Sequence, residues 1–325
     1  MINASYSTAT WRVHQSALNC YIVFCRTSGI ELNWPIKIEI VNEFTNWALT
    51  AKKLKASTVE SYLKSLSLIH KLKGFPVDDC LNYVNTLLLK GAKNLEVYSK
   101  SHSRKNVMTL PLLKILGHGV ATSNWSVFMK QTFWTVACLA FFGSLRMGEI
   151  IMSKVDNFDP GTILSWKDVK VREKSLLIHI KSPKSRNRGG DFVDIFEFAG
   201  HGCCPVKAFK VFEKMVQERG FYSEAAPVFR LENGKLFTKT FFNQTVAGIL
   251  NKRRFKNLDV NITGHSFRAA IPAMLARFPE LSSGEEIMGW GRWGSKAYLS
   301  YTRLKIDQKK KIYDKIVSVL NHVNK

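Results

Sequence analysis

Over the first hundred positions, hydrophobic residues recur at helical spacing and polar residues fill the faces between them. Trp11, Leu18, Tyr21, Ile22 and Cys25 fall on one face, and Gly29 closes that segment. A second helix is expected after Pro35, with Val41, Phe44, Trp47, Ala48 and Ala51 turned inward. Ser57 and Glu60 stand at capping-box spacing, which predicts a third helix from Thr58. It carries Val59, Tyr62, Leu63, Leu66 and Ile69 inward and ends near Gly74-Phe75-Pro76. A fourth runs through Leu81, Val84, Leu87 and Leu88 to Gly91, and the four together predict a compact helical bundle.

The pattern then breaks. Lys100 to Asn106 is polar and basic, without apolar periodicity, and reads as a linker over 101–106 between domains at 1–100 and 107–325. Its charge suits either a strap along phosphates or an ordinary solvated loop. A helix is expected from Leu110-Pro111, and a long buried one starts at Ser123 or Ser126 and ends near Gly143. Between Ser165 and Glu197 the period changes. Val169, Val171, Leu177, Ile178 and Ile180, then Phe192, Val193, Ile195 and Phe196, predict a small antiparallel sheet interrupted by a basic hairpin, 182–190. Helices resume at Pro205, at Phe241, after His265 and from Ser295 to the end. The expected class is mainly α with a small antiparallel β-sheet. No internal repeat or low-complexity tract is visible.

Charge narrows the function. The 325 residues carry 48 Lys+Arg against 25 Asp+Glu, a net charge of +23, while 46% are hydrophobic. A chain with a real core and this much positive charge attracts polyanions, nucleic acid above all. The six cysteines form no CxxC pair, and His201 beside Cys203 and Cys204 is too cramped for ordinary zinc spacing. Reduced core thiols in an intracellular protein are the expected reading. The start of the chain shows no charged segment followed by an apolar run, and Phe133 to Leu145 is too short to span a bilayer, so no membrane role is expected.

The same scarcity of acids argues against two-metal nuclease chemistry, which needs clustered carboxylates, and no P-loop indicates ATP. Metal-free phosphoryl transfer needs arginines to neutralise the phosphate, a nucleophile and a proton donor. The chain offers these in order. Gly143 to Ile150 (GSLRMGEI) places Arg146 after a buried helix, with Glu149 three residues on. Lys181 and Lys184 flank the basic hairpin. Gly264 to Arg268 (GHSFR) sets His265 and Arg268 three apart, hence on one helical face. Gly291 to Arg303 (GRWGSKAYLSYTR) presents Tyr298 and Tyr301 near tryptophan and arginine.

These boxes, in this order, resemble those of the tyrosine recombinases, the phage integrase and bacterial Xer superfamily. The wording GRW…AYLSYTR is closest to eukaryotic mobile-element recombinases of the Crypton and DIRS-like kind. The N-terminal TWRVHQSALNCYIVFC and LKASTVESYLKSL resemble the helical core-binding domain of those proteins, so the likeness covers nearly the whole chain. It implies a core-binding bundle at 1–100 that binds DNA, and an α+β catalytic domain with a helical tail at 107–325. It implies that Arg146 and Arg268 bind the scissile phosphate, that Lys184 protonates the leaving 5′ oxygen, and that His265 assists. Trp293 takes the place where many members have His, Glu149 orients Arg146 or the His265 region, and Tyr301 attacks. Lys181, Trp290 and Tyr298 stand as alternatives for the lysine, the tryptophan and the nucleophile. Spacing does not choose between the tyrosines: Tyr301 follows Trp293 by eight residues, and Tyr298 follows Trp290 by eight.

Phosphate-gripping candidates are Lys52, Lys53, Lys55, Arg104, Lys105, Arg186, Arg188, Lys252, Arg253 and Arg254. The implied partners are double-stranded DNA and further copies of the chain, two on a site and four in synapsis, with no cofactor. The implied compartment is the nucleus in a eukaryote and the cytoplasm otherwise. Two other readings stay open, a DNA-binding protein that has lost cutting activity and a type IB topoisomerase. Lys305 to Lys325 reads as a basic amphipathic helix that docks on a neighbouring copy or on its own domain.

Overall fold

The computed structural model describes residues 6–75, 80–99, 106–152, 158–181, 190–198, 200–250, 262–276 and 282–293. The chain forms two compact units, Met1–Ser103 and Arg104–Lys325.

The first unit contains helices α1 (Thr8–Ser28), α2 (Ile38–Thr50), α3 (Ala56–Leu72) and α4 (Tyr83–Ser99). The Ser7 hydroxyl accepts the Thr10 N–H at the start of α1, and Gly29, at φ 66°, closes the helix in the left-handed conformation that glycine tolerates. Tyr21, Phe24, Val41, Phe44, Val59, Leu63 and Leu66 form the core, and Tyr21 meets Phe44 edge-on at 5.5 Å. Tyr62 and Ile69 are only half-buried, and Ala51, expected inward, is exposed.

Two expectations fail here for one physical reason. Helix α3 begins at Ala56 rather than Thr58, because the Glu96 carboxylate of α4 accepts the Ala56 N–H at 2.7 Å. Ser57 then lies inside the helix, and Glu60 pairs with Lys64 and Lys93 at 2.8 and 2.7 Å. Helix α4 runs on past Gly91 to Ser99 and turns its other face to the core. Leu81, Val84 and Leu87, expected inside, are exposed, while Asn85 and Leu89 are buried. Asn85 donates to the Cys80 carbonyl at 3.3 Å. The face carrying Asn85 and Glu96 satisfies polar groups of neighbouring segments, and that outweighs a continuous leucine stripe.

The second unit is built on α6 (Val127–Phe142), capped by Ser126 and closed at Gly143. Phe128, Phe133, Val136, Ala137, Cys138, Leu139 and Ala140 are all buried, so beyond its first turn and a half the helix is covered on nearly every side and runs through the core. Around it lie α5 (Leu110–Ala121), α7 (Met147–Ile150), α8 (Pro205–Glu218), α9 (Lys239–Leu250), α10 (Gly264–Arg268) and α11 (Ala270–Leu275). A further helix, α12 (Gly284–Gly291), was not anticipated from the pattern; Ser283 and Glu286 cap it reciprocally.

The sheet is antiparallel in the order β1 (Val169–Val171), β2 (Ser175–Ile180), β3 (Asp191–Phe196). Its register pairs Val169 with Ile178 and Ile180 with Asp191. Leu176, Ile178 and Ile180 are buried, whereas Phe192 and Phe196 face out. All six cysteines are free thiols, five of them buried. No described helix is long and apolar enough to cross a membrane.

Candidate active site

Three loops of the second unit converge at the end of α6. Ser144, in the left-handed region at φ 46°, turns the chain after α6 and leads through buried Leu145 to Arg146. Arg146 caps α7. Glu149, three residues on, reaches back: its Oε2 accepts the Arg146 N–H at 2.8 Å and its Oε1 accepts Arg146 Nη1 at 2.7 Å. The Leu-Arg-x-x-Glu wording is therefore a local device that fixes the arginine at both backbone and side chain.

The second loop is α10. Gly264 sits against α7 so closely that a Cβ would lie 2.3 Å from Met147 Cγ, and its N–H donates to Asn243 Oδ1 at 2.9 Å. His265 and Arg268 do not share a face in the sense expected: His265 is exposed and Arg268 is 1% exposed. Three residues of helix leave about 60° between side chains, enough to send one outward and one into the protein. Arg268 donates from Nη1 to the Ser144 carbonyl at 2.8 Å, and from Nη2 to the carbonyls of Gly291 and Arg292 at 2.5 and 3.3 Å. It thus ties the loop before Arg146 to the end of α12. Carbonyls accept these bonds, which fix the orientation of the guanidinium.

The third loop follows α12. Arg292 closes that helix at φ 50°. Its Nη2 donates to Glu149 Oε2 at 2.8 Å, and its Nη1 lies 4.0 Å from Asp191 Oδ2 at the start of β3. Trp293 N–H donates to the Met288 carbonyl at 2.9 Å, and a Cβ on Gly291 would come within 3.1 Å of the Trp293 ring. Trp293 is half-buried beside this cluster, whereas Trp290 is 45% exposed.

Glu149 is thereby the shared anion of the cluster. Its side chain is 5% exposed. Burial alone pushes its pKa up, but the Arg292 charge and the hydrogen bonds from Arg292 and Arg146 outweigh this and hold it below the ordinary value.

Lys181 is placed differently. At the end of β2 it pairs with the Asp168 carboxylate and donates to the Pro160 carbonyl at 2.5 Å, the Ile163 carbonyl at 3.3 Å and Ser165 Oγ at 3.0 Å. Asp168 also accepts the Ser165 N–H at 2.8 Å and the Ser165 hydroxyl at 2.5 Å. Burial raises the Asp168 pKa, and its bonds from Lys181 and Ser165 more than reverse the effect.

The structure brings Arg146, Glu149 and Arg268 into one cluster, with Trp293 adjoining and His265 on the first turn of α10. Lys184, Tyr298 and Tyr301 lie outside the described residues, as do Arg104, Lys105, Arg186, Arg188, Lys252, Arg253, Arg254, the linker of 101–106 apart from Asn106, and the segment Lys305 to Lys325. Lys52, Lys53 and Lys55 are exposed on the turn between α2 and α3. Among the described residues no group of His, Cys, Asp and Glu could hold a metal ion. The pattern did not single out Arg292, Asp191 or Asn243. The Gly-Arg-Trp wording was the one available signal for Arg292, and its partner Glu149 lies 143 residues away.

Solved structures share this architecture. The chain is similar to the XerH site-specific recombinase in a post-cleavage complex with palindromic difH substrate, at 14% identity and a TM-score of 0.61, covering 93% of this chain and 78% of that one. It is similar to the Tn1549 transposon integrase in complex with transposon right-end DNA, at 12% identity and a TM-score of 0.55, covering 93% and 99%. It is also similar to a lambda integrase dimer bound to a core site, at 12% identity and a TM-score of 0.56, covering 93% and 92%. No family model and no curated protein matches the chain. The fold is mainly helical with a three-stranded antiparallel sheet, and it matches the tyrosine recombinase catalytic fold.

Proposed function

We propose that this chain cuts and rejoins double-stranded DNA as a site-specific recombinase, through a tyrosine nucleophile and without metal or ATP, in the service of a mobile element of the Crypton or DIRS-like kind. The observation that carries the reading is the meeting of Arg146, Glu149 and Arg268 at the end of α6, on a fold shared with recombinases and integrases. Two guanidinium groups around one phosphate stabilise the charge that builds on its non-bridging oxygens.

In this reading the Tyr301 hydroxyl attacks the scissile phosphorus as its proton passes to solvent. The bond to the 5′ oxygen breaks, a 3′-phosphotyrosyl link forms, and Lys184 gives its proton to the leaving 5′ oxygen. Attack by a 5′ hydroxyl from another strand reverses the step, so the energy of the broken bond is kept. His265, exposed on α10, assists at the phosphate, and Trp293 stands where many members of the family have His. Lys181 is held by Asp168, Ser165 and two carbonyls, which favours Lys184 as the proton donor. The first unit holds DNA with Lys52, Lys53 and Lys55, joined by Arg104, Lys105, Arg186, Arg188, Lys252, Arg253 and Arg254. Copies pair on a site and act as four in synapsis.

The test is a nicked suicide duplex bearing the element end, incubated with the protein in chelator. A covalent protein–DNA adduct is expected from wild type and from Tyr298→Phe, and none from Tyr301→Phe. No wild-type adduct on the correct duplex refutes the enzyme and leaves the DNA-binding reading. An adduct that survives Tyr301→Phe and vanishes in Tyr298→Phe moves the nucleophile.

A further inference from the structure

Glu149 carries one negative charge and holds two guanidinium groups, one from Arg146 and one from Arg292. The two arginines differ in access. The Arg146 side chain is 27% exposed, and that of Arg292 is 12% exposed. They also differ in attachment. Arg292 closes α12, its carbonyl accepts from Arg268, and its Nε and Nη1 make no hydrogen bond among the described residues, so the Glu149 bond is what fixes its guanidinium.

We propose that Arg292 is a positioning residue that keeps Glu149 neutralised when Arg146 turns to the scissile phosphate. The inference rests on the recombinase reading above. When the Arg146 side chain swings to present both Nη groups to a phosphate, its Nη1 bond to Glu149 Oε1 is given up. If its guanidinium were the sole counter-charge of Glu149, each turn to the phosphate would leave a buried carboxylate with only the Arg146 backbone N–H and no cation beside it. A second guanidinium, fixed on the far side of the same carboxylate, supplies that cation. Arg292 binds Oε2 while Arg146 Nη1 binds Oε1, so Oε1 can be released without leaving the carboxylate unpaired. The Asp191 carboxylate, 4.0 Å from Arg292, keeps the arginine's own charge compensated from the β3 side.

This role predicts a specific non-additivity. Adduct formation is followed in single turnover on the suicide duplex at saturating DNA, with duplex affinity and melting measured beside it. Arg292→Met is expected to slow adduct formation by about 30-fold at unchanged duplex affinity, and Arg292→Lys to recover most of the loss. In a Glu149→Gln background, where no charge needs a counter-ion, Arg292→Met is expected to cost less than about threefold. Equal losses in the two backgrounds, a loss confined to duplex affinity, or no loss at all overturn the proposal. If Arg292→Met alone does not fold, the decision passes to Arg292→Met/Glu149→Gln against Glu149→Gln, and a loss there of tenfold or so overturns it. Absence of a wild-type adduct overturns the recombinase reading and this inference with it, whereas a wild-type adduct with additive losses overturns this inference alone.

Discussion

Replacing Lys181 with methionine separates a structural lysine from a chemical one. Lys181 Nζ pairs with Asp168 and also serves Ser165 and two carbonyls. Its side chain is 13% exposed and that of Asp168 is 4% exposed. Breaking a buried pair by removing one partner typically costs about 3–5 kcal/mol. Asp168 keeps two bonds from Ser165, so the lower end applies, about 3 kcal/mol. For a unit of this size that corresponds to a fall in melting temperature of roughly 6–12 °C. Thermal and denaturant melts of the full chain measure it. The folded pKa of Asp168 is depressed, so its stabilisation is fully present above the ordinary aspartate value of 3.8 and is lost as pH falls through the folded value. The gap between wild type and variant is therefore full at neutral pH. It closes on acidification, as the stranded Asp168 of the variant takes up its proton first and that of wild type last. Adding Asp168→Asn removes the stranded charge and recovers about half of the loss. Below its melting point, Lys181→Met is expected to form adduct within tenfold of wild type, while Lys184→Ala loses on the order of 100-fold or more. A stable Lys181→Met protein that fails to form adduct, beside an active Lys184→Ala, refutes the assignment.

Three further outcomes rest on particular residues. Gly264→Ala places a methyl 2.3 Å from Met147 Cγ, so α10 must move off α7; melting should show a loss of about 1–3 kcal/mol and adduct formation should slow, while Gly289→Ala, inside α12 with nothing within 4 Å, lowers neither. Glu96→Ala removes the carboxylate at the start of α3 and should cost the first unit about 1 kcal/mol in a denaturant titration, whereas Ser57→Ala should stay within about 0.5 kcal/mol, reversing the ranking that capping-box spacing alone suggests. Changing Lys52, Lys53 and Lys55 together to Gln should lower the slope of log affinity for duplex against log salt by about 0.9 for every phosphate that these lysines neutralise, and an unchanged slope removes that turn from the DNA interface.

Elements whose determinants are local were legible. The start of α6 at one of two candidate serines, its end at Gly143 and the small antiparallel sheet follow from capping and from the change of period between Ser165 and Glu197. The Arg146–Glu149 pair was legible for the same reason, since three residues of helix bring them together. What escaped the pattern depends on partners far along the chain. The inward face of α4 is chosen by Asn85 and Glu96, not by the leucines. The start of α3 is set by a carboxylate 40 residues downstream. Short helix α12 carries its apolar residues on too few turns for periodicity to register. Arg292 stood in plain view in a recognised box, but its role depends on a glutamate that only folding brings within 2.8 Å.

The course of α6 through the core also has a consequence in time. Arg146 is not carried on a surface loop. Three residues separate it from a helix whose C-terminal half is buried, and the Leu145 and Ile151 amides around it are bonded to the Ala140 and Met147 carbonyls among buried side chains. Such amides exchange with solvent only when the whole unit opens. The arginine's backbone should therefore stay still through all the partial openings that loosen the exposed turn at Lys52 to Lys55. Deuterium uptake at the Leu145 and Ile151 amides would then report on global unfolding alone, and these two would be among the last of the described amides to be labelled.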